Sequence, residues 1–447
     1  MNTQHFDTIV IGSGTSAYYA ITTLNKAGQK VAVIDERPYG GTCALRGCQS
    51  KKYLVANATA VAMVGHLQGI GLTMSSRTDW AALQKHKNAF LEGIPEGEIE
   101  EFNEVGIATF HCKAQLVAQD EVAVGEERLK AKHIIIATGA VPRRSDIPGA
   151  EHLRDSEYFL NMPTLPERIL FIGGGYIAFE FAHVAAHAGA SVTILNRSAR
   201  PLKQFDPDTV DTVLEATKAS GIEFVINETP GHVTQTASGY QLHSKSGKVY
   251  DTDLIVEATG RVPNVSVLDG DHGKVDHSSL GVSVNEFLQS TSNPHVYAIG
   301  DCAASGSMLA PLADEEGKVA AFNILNDVLK PVDYSVVPSA VFTIPSLAAV
   351  GLTEAQASEQ GLAFRINQGT TTGWPSSKRI GEKHASYKVI VNKADDTIIG
   401  AHMARHNASE VINIFALAIK HGIKAPELAE FMWAYPTYTS DLKYMVK

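Results

Sequence analysis

Two stretches decide the fold: Phe6-Asp-Thr-Ile-Val-Ile-Gly-Ser-Gly-Thr-Ser-Ala17, and Lys30-Val-Ala-Val-Ile-Asp35, which completes it. A short apolar strand ends at Gly12 and a helical stretch runs on to Gly28. A second apolar strand then closes on an acid about 20 residues after Gly14. Strand, glycine turn, helix, strand and acid in this order form a dinucleotide-binding βαβ unit. Gly12, Gly14 and Ala17 let the backbone turn tightly and approach a pyrophosphate, whose charge rests on the helix N-terminus. Asp35 can accept hydrogen bonds from a ribose.

The pattern repeats downstream. Arg168-Ile-Leu-Phe-Ile172 leads into Gly173-Gly-Gly175-Tyr-Ile-Ala178, a helix to Gly189, and the strand Ser191-Val-Thr-Ile-Leu195. The offset that carries Gly12 to Gly173 carries Asp35 to Asn196, a neutral residue. A neutral side chain there does not repel a 2′-phosphate, and Arg197 and Lys203 supply cations close by. The second unit therefore reads as a site for NADPH in preference to NADH. Two further strands, Ile134–Ile136 and Leu254–Glu257, each run into Ala-Thr-Gly, ending at Gly139 and Gly260. Val296-Tyr-Ala-Ile-Gly-Asp301 is another strand, ending in Gly-Asp. From about Pro338 the pattern becomes α+β, with a strand at 387–391 and a long apolar helix from about Ala408 to His421.

A chain of 447 residues suggests about three domains. Hydrophobic residues at 44% and charged residues at 19% exclude a disordered chain, a collagen or a coiled coil. The 48 acidic residues outnumber the 38 Lys and Arg, so a net charge of −10 disfavours an electrostatic grip on nucleic acid or anionic lipid. No apolar run is long enough to span a bilayer, and the first apolar residues read as a strand, not a leader. The expectation is a soluble cytoplasmic protein.

Four cysteines are too few for a secreted disulfide scaffold. Cys43 and Cys48 lie together in Gly40-Gly-Thr-Cys43-Ala-Leu-Arg-Gly-Cys48-Gln-Ser-Lys-Lys52, and Cys112 and Cys302 read as isolated core thiols. About one helical turn between the two allows a disulfide, and a helix start would lower the pKa of a released thiolate. Metal binding and a pair of buried thiols are the rival readings. Zinc would need four ligands, and no second Cys/His pair has suitable spacing.

Along nearly its whole length the chain resembles the class I pyridine nucleotide–disulfide oxidoreductases, which include glutathione reductase, lipoamide dehydrogenase and mercuric reductase. The resemblance rests on both glycine fingerprints, the Cys43–Lys52 segment, Thr259-Gly-Arg-Val-Pro-Asn264 and Gly300-Asp301. Met308-Leu-Ala with Glu316-Gly317, Val350-Gly-Leu-Thr-Glu354 and Asn407-Ala-Ser-Glu410 extend it. It implies an α/β fold with two nested Rossmann-like domains, for FAD and NADPH, and a C-terminal α+β dimerisation domain. The implied boundaries are 1–143 and 263–334 for FAD, 144–262 for NADPH and 335–447 for the interface of a homodimer. It implies electron flow from nicotinamide through FAD to a Cys43–Cys48 disulfide, with Cys48 facing the flavin and Cys43 attacking the acceptor. Lys52 and Glu180 would pair beside the flavin, Tyr176 would cover the nicotinamide pocket, and Asp301 would hold the ribityl–phosphate region. Thr42, Thr138, Gly139, Gly260, Arg261 and Gly300 fall in cofactor-binding motifs.

The C-terminus departs from the family. Its members carry His-Pro-Thr with a Glu five residues after the His, an acid–base pair supplied to the partner's site. Here the segment reads Ala434-Tyr-Pro-Thr-Tyr-Thr-Ser-Asp441, so Tyr435 replaces the His, Ser440 stands at the Glu position and Asp441 is one residue late. An imidazole titrates at about 6.5 and a phenol at about 10, so a tyrosine can donate a hydrogen bond but is a poor base. The acceptor thus reads as a small disulfide or another soft electrophile. A metal-ion or quinone reductase, a carboxylase-like enzyme and a non-enzymatic flavin subunit remain as alternatives. The glutathione-gripping Arg of glutathione reductases is replaced by Thr22. The run Asp314-Glu315-Glu316 reads as a solvated helix face, and His402 and His406 as packing or surface residues.

Overall fold

A computed structural model describes residues 3–270 and 272–447. The chain divides into two compact units, one of residues 1–52, 86–143 and 261–334, the other of 53–85, 144–260 and 335–447.

In the first unit the strand Thr3–Ile11 lies between Val31–Asp35 and Glu127–Ile136, parallel to both. Ala108–His111 continues the parallel order beyond Val31–Asp35, and Val296–Ala298 adds to Glu127–Ile136. The antiparallel strands Glu121–Val124 and Ala114–Ala118 extend the sheet from there. Ile9, Val10, Val31, Val33, Ile34 and Ile134 to Ile136 are fully buried, as strands covered on both faces require. The helices Thr15–Lys26 and Ala310–Leu325 pack on each other over this sheet.

The second unit repeats the arrangement. Glu223–Val225, Ser191–Leu195, Arg168–Ile172 and Leu254–Glu257 form a parallel sheet, with the helix Tyr176–His187 following its first strand. Phe159, Phe171, Phe179 and Phe181 fill its core. The strands Ser339–Val341, Ser346–Gly351, Ile398–Arg405, Ser386–Asn392 and Phe364–Thr370 make an antiparallel sheet. The helix Ala408–His421 lays Val411, Ile412, Phe415 and Ala418 on it and ends at Gly422 in the left-handed region.

His183 is enclosed among these elements. Its Nδ1 accepts from the Ile344 N–H at 3.2 Å and its Nε2 lies 2.9 Å from Thr217 Oγ1, so the ring is held neutral. Burial, and then the neighbouring His187, push its pKa down to about 3. Because an unfolded histidine titrates near 6.5, the unfolded chain binds more protons below that pH. The stability His183 contributes is present above about 6.5 and is lost as pH falls toward 3, at about 1.4 kcal/mol per pH unit. The midpoint of urea unfolding is therefore expected to fall between pH 7 and pH 5. His183→Gln, compared at the same two values, should show a shallower fall.

Candidate functional site

Both glycine turns have the same geometry, and it joins motifs that are far apart in sequence. Gly12 has φ 111°, and a Cβ on it would sit 2.2 Å from the Ala137 carbonyl oxygen. Gly173 has φ 127°, and its Cβ would sit 2.3 Å from the Ala258 oxygen. Ala137 and Ala258 are the alanines of the two Ala-Thr-Gly motifs. Each motif therefore passes its carbonyl against a fingerprint glycine that has no side chain to block it. The helices then begin after Gly14 and Gly175, neither capped by a side chain. Ala17 is fully buried beneath the first turn.

Asp35 is tied into this turn: Oδ2 accepts from the Ser13 N–H at 2.8 Å and Ser13 Oγ at 2.7 Å, and Oδ1 from the Arg37 N–H at 2.9 Å. Thr138 Oγ1 donates to the Asn264 carbonyl at 2.5 Å, and the Asn264 N–H donates to Gly139 O at 2.8 Å. Arg261 donates to Ala140 O, so Thr138, Gly139 and Arg261 gather where Ala140–Pro142 pairs with Arg261–Pro263. Burial pushes the Asp301 carboxyl upward while Arg261 pulls it down.

Glu316 corrects the expectation of a solvated acidic face. It is 3% exposed and accepts from the Gly300 N–H at 2.6 Å, Ser305 Oγ at 2.6 Å and Tyr334 Oη at 2.8 Å. The carboxylate thus anchors Gly300, the residue before Asp301. Asp314 accepts from Thr15 Oγ1 on the opening turn of the first helix.

The cysteine segment starts on the same turn. Gly40 and Gly41 have φ 108° and 65°, and a Cβ on Gly41 would lie 2.4 Å from Gly14 Cα. A short helix, Gly41–Leu45, carries Thr42 and Cys43, and the helix Cys48–Leu67 follows with Lys52 one turn in. Cys43 is half-buried and Cys48 exposed; neither is in a disulfide, and the two thiols are in hydrogen-bonding contact. That contact, followed by burial, raises the Cys43 thiol far above its ordinary value. Asp314 adds to the rise and Lys52 opposes it. The lowered value expected from a helix start is not found for Cys43, because a second sulfur and a half-buried setting outweigh one ammonium. Cys302 is buried and donates to Ile136 O, and Cys112 packs half-buried against the core.

In the second unit Tyr176 opens its helix and Glu180 lies one turn on. Glu180 is 1% exposed and accepts from the Phe342 N–H at 2.8 Å. Asn196 is buried against Gly174, whose Cβ would sit 2.4 Å from Asn196 Oδ1, and donates to Ser198 O at 2.7 Å. Arg197, Lys203 and Gly260 are exposed. Tyr435 is 71% exposed, and its segment lines a cavity of about 330 Å3 together with Trp374, Arg379 and Tyr444. His402 is buried with Nε2 3.0 Å from Leu352 O, and His406 is half-buried beside Tyr438.

A glycine cradle that no side chain could share, closed by Asp35 and opening directly into a cysteine pair, fits FAD. Comparison with known proteins agrees. Residues 6–317 match the pyridine nucleotide-disulphide oxidoreductase model, and residues 337–446 match the dimerisation domain of the same family. The mercuric reductase of Staphylococcus aureus is 30% identical over 446 residues, covering 98% of this chain and 81% of that protein. The glutathione reductase of Burkholderia cepacia is 31% identical over 453 residues, covering 99% and 98%. The Cu(II) complex of the HOCl-induced flavoprotein disulfide reductase RclA from Escherichia coli superposes with a TM-score of 0.90. It shows 25% identity, covering 100% of this chain and 99% of that one.

The chain belongs to the pyridine nucleotide–disulfide oxidoreductase family. It is an FAD-dependent flavoprotein disulfide reductase that uses a pyridine nucleotide and carries the family's dimerisation domain. No helix among the described residues is long and apolar enough to cross a membrane.

Proposed function

We infer that the protein is a cytoplasmic homodimer that uses NADPH to reduce a Cys43–Cys48 disulfide and passes the electrons to a small disulfide. Residues 1–143 and 263–334 hold FAD, 144–262 hold NADPH, and 335–447 form the interface. The observation that carries this reading is the contact of Cys43 with Cys48 on a segment that starts against the Gly14 turn. Bound FAD would take two electrons from the nicotinamide and hand them to the disulfide.

Gly12, Gly14, Ala17 and Thr42 bind the pyrophosphate end and Asp35 the ribose. Thr138, Gly139, Arg261, Gly300 and Asp301 support the flavin side. Lys52 would stabilise negative charge there, and Glu180 is the acid that the family resemblance implies for the same role. Cys43 then attacks one sulfur of the acceptor, forming a mixed disulfide and releasing one thiolate. Cys48 attacks Cys43, releases the second thiolate and restores the Cys43–Cys48 bond. One proton comes from solvent and one with the reduced nucleotide, and two thiols leave. Tyr435 of the partner subunit donates a hydrogen bond at this step.

Gly173, Gly175 and Gly260 bind the second nucleotide, and Tyr176 covers the nicotinamide. Neutral Asn196 with exposed Arg197 and Lys203 favours the 2′-phosphate, as does likeness to a glutathione reductase. Arg197→Ala is expected to raise KM for NADPH on the order of tenfold and leave that for NADH nearly unchanged, since one screened charge contact is lost. Steady-state KM values for both nucleotides check this; an equal change for both would mean that Arg197 does not read the phosphate.

A metal ion is the second reading. It is favoured by the absent imidazole at Tyr435, by likeness to a mercuric reductase and by the Cu(II) complex of RclA. Tyr435→His separates the two. If the acceptor is a disulfide, restoring an imidazole should raise kcat by about 10²-fold, the lower end of the range for general acid–base help. No gain, with the dimer intact and Cu(II) turned over faster than any disulfide, would favour the metal.

A further inference from the structure

The loop that carries Tyr435 is anchored by a buried ion pair. Asp441 Oδ2 accepts from Arg405 Nη2 at 2.6 Å and from Ser376 Oγ at 2.6 Å. Arg405 is the last residue of the strand Ile398–Arg405 and is fully enclosed, and its Nε and Nη1 meet no hydrogen-bond partner among the described residues. The Arg405 charge pulls the Glu382 carboxyl down against its burial, but the Glu382 oxygens accept from Ser377 Oγ at 2.7 Å and the His406 N–H at 2.5 Å. Asp441 is thus the carboxylate in direct contact with the guanidinium.

Around this pair the loop is tied at successive residues. The guanidinium groups of Arg379 and Arg405 lie 4.8 and 5.5 Å from the Tyr438 ring, and Arg379 donates to Pro436 O at 3.2 Å. Thr437 Oγ1 donates to Ala434 O at 2.7 Å and accepts the Ser440 N–H at 3.1 Å. Ser440 Oγ donates to Thr437 O at 2.6 Å. The Tyr435 ring stays largely open, with Lys443 Nζ 5.6 Å from its centre.

Asp441, a carboxylate one residue past the family's Glu, looks by position like a displaced acid–base partner. Its geometry assigns it elsewhere, because one oxygen serves both Arg405 and Ser376. We propose that the Arg405–Asp441 pair is a positioning device for acceptor reduction: it fixes the Tyr435 loop in the conformation that meets the partner's redox pair and takes no proton itself. This rests on the reading that Tyr435 completes the partner's site. A loop fixed in advance avoids an ordering cost when the acceptor arrives. A displacement of about 1 Å caused far from the chemistry costs on the order of 10²-fold in rate.

Stopped-flow absorbance on the holoenzyme separates the two halves of the reaction. NADPH is first mixed with oxidised enzyme, and hydroxyethyl disulfide is then mixed with the two-electron-reduced enzyme. Asp441→Asn should leave the first step within about twofold of the wild type and slow the second on the order of 10- to 100-fold. Asp441→Glu should recover part of that loss. Asn at 441 leaves a buried guanidinium uncompensated, so the double variant Arg405→Met/Asp441→Leu is run beside it. Replacing both charges with apolar groups is often tolerated by the fold, and this variant should show the same selective slowing. An unchanged second step in both variants, or equal slowing of both steps, would overturn the proposal. Tyr435→Phe tests the underlying reading: an unaffected second step there removes Tyr435 from the reaction, and the positioning role with it.

Discussion

Replacing Cys43 with serine is expected to lower NADPH-driven reduction of hydroxyethyl disulfide by at least about 10³-fold, while NADPH still bleaches the flavin. The exchange needs two sulfurs. One forms the mixed disulfide and the other resolves it, and a hydroxyl can do neither. Cys43 is the member set off by burial and by contact with Cys48, with Lys52 one turn along the next helix. The thiol of Cys43 is held far above its ordinary value while Cys48 stands beside it. The pair therefore releases its second proton with more difficulty than its first, as two coupled acids in contact must. Steady-state NADPH oxidation checks the prediction. Turnover within tenfold of the wild type would remove Cys43 from the pathway.

Gly41→Ala should yield protein that has lost most of its flavin. The left-handed backbone at φ 65° costs alanine about 1 to 2 kcal/mol. The added Cβ would also meet Gly14 Cα at 2.4 Å, so the pyrophosphate turn and the redox segment cannot both keep their places. Gly28→Ala supplies the control. Its φ is 85° and nothing lies within 4 Å of the added carbon, so only the backbone strain remains. That variant should unfold somewhat earlier and stay yellow. The ratio of flavin to protein absorbance in the two purified variants decides the matter. Equal flavin content in both would mean that the Gly14–Gly41 approach does not shape the cofactor site.

What could be read from the chain alone was local. The glycines, the buried strand ending at Asp35 and the helix from Ala408 to His421 each declare themselves within a short window, through period and turn chemistry. The two Ala-Thr-Gly motifs were legible as a repeat but not as partners of Gly12 and Gly173. That partnership is a contact between strand ends far apart in sequence. The Cys43 thiol moves opposite to the simple helix-start expectation because its value depends on which groups pack around it. Glu316 looked solvated for a similar reason, since its partners Gly300, Ser305 and Tyr334 come from other elements. Arg405 and Asp441 lie in separate elements, and neither belongs to a motif that would suggest the other. The composition said nothing of them.

The most direct test is an anaerobic titration of the purified yellow protein with NADPH and, separately, with NADH, followed by absorbance. NADPH is expected to produce rapidly a long-wavelength thiolate-to-flavin charge-transfer band as the Cys43–Cys48 bond opens, and NADH to do so at higher concentration. Flavin bleaching without that band would contradict this, because electrons would then be reaching the flavin and stopping there.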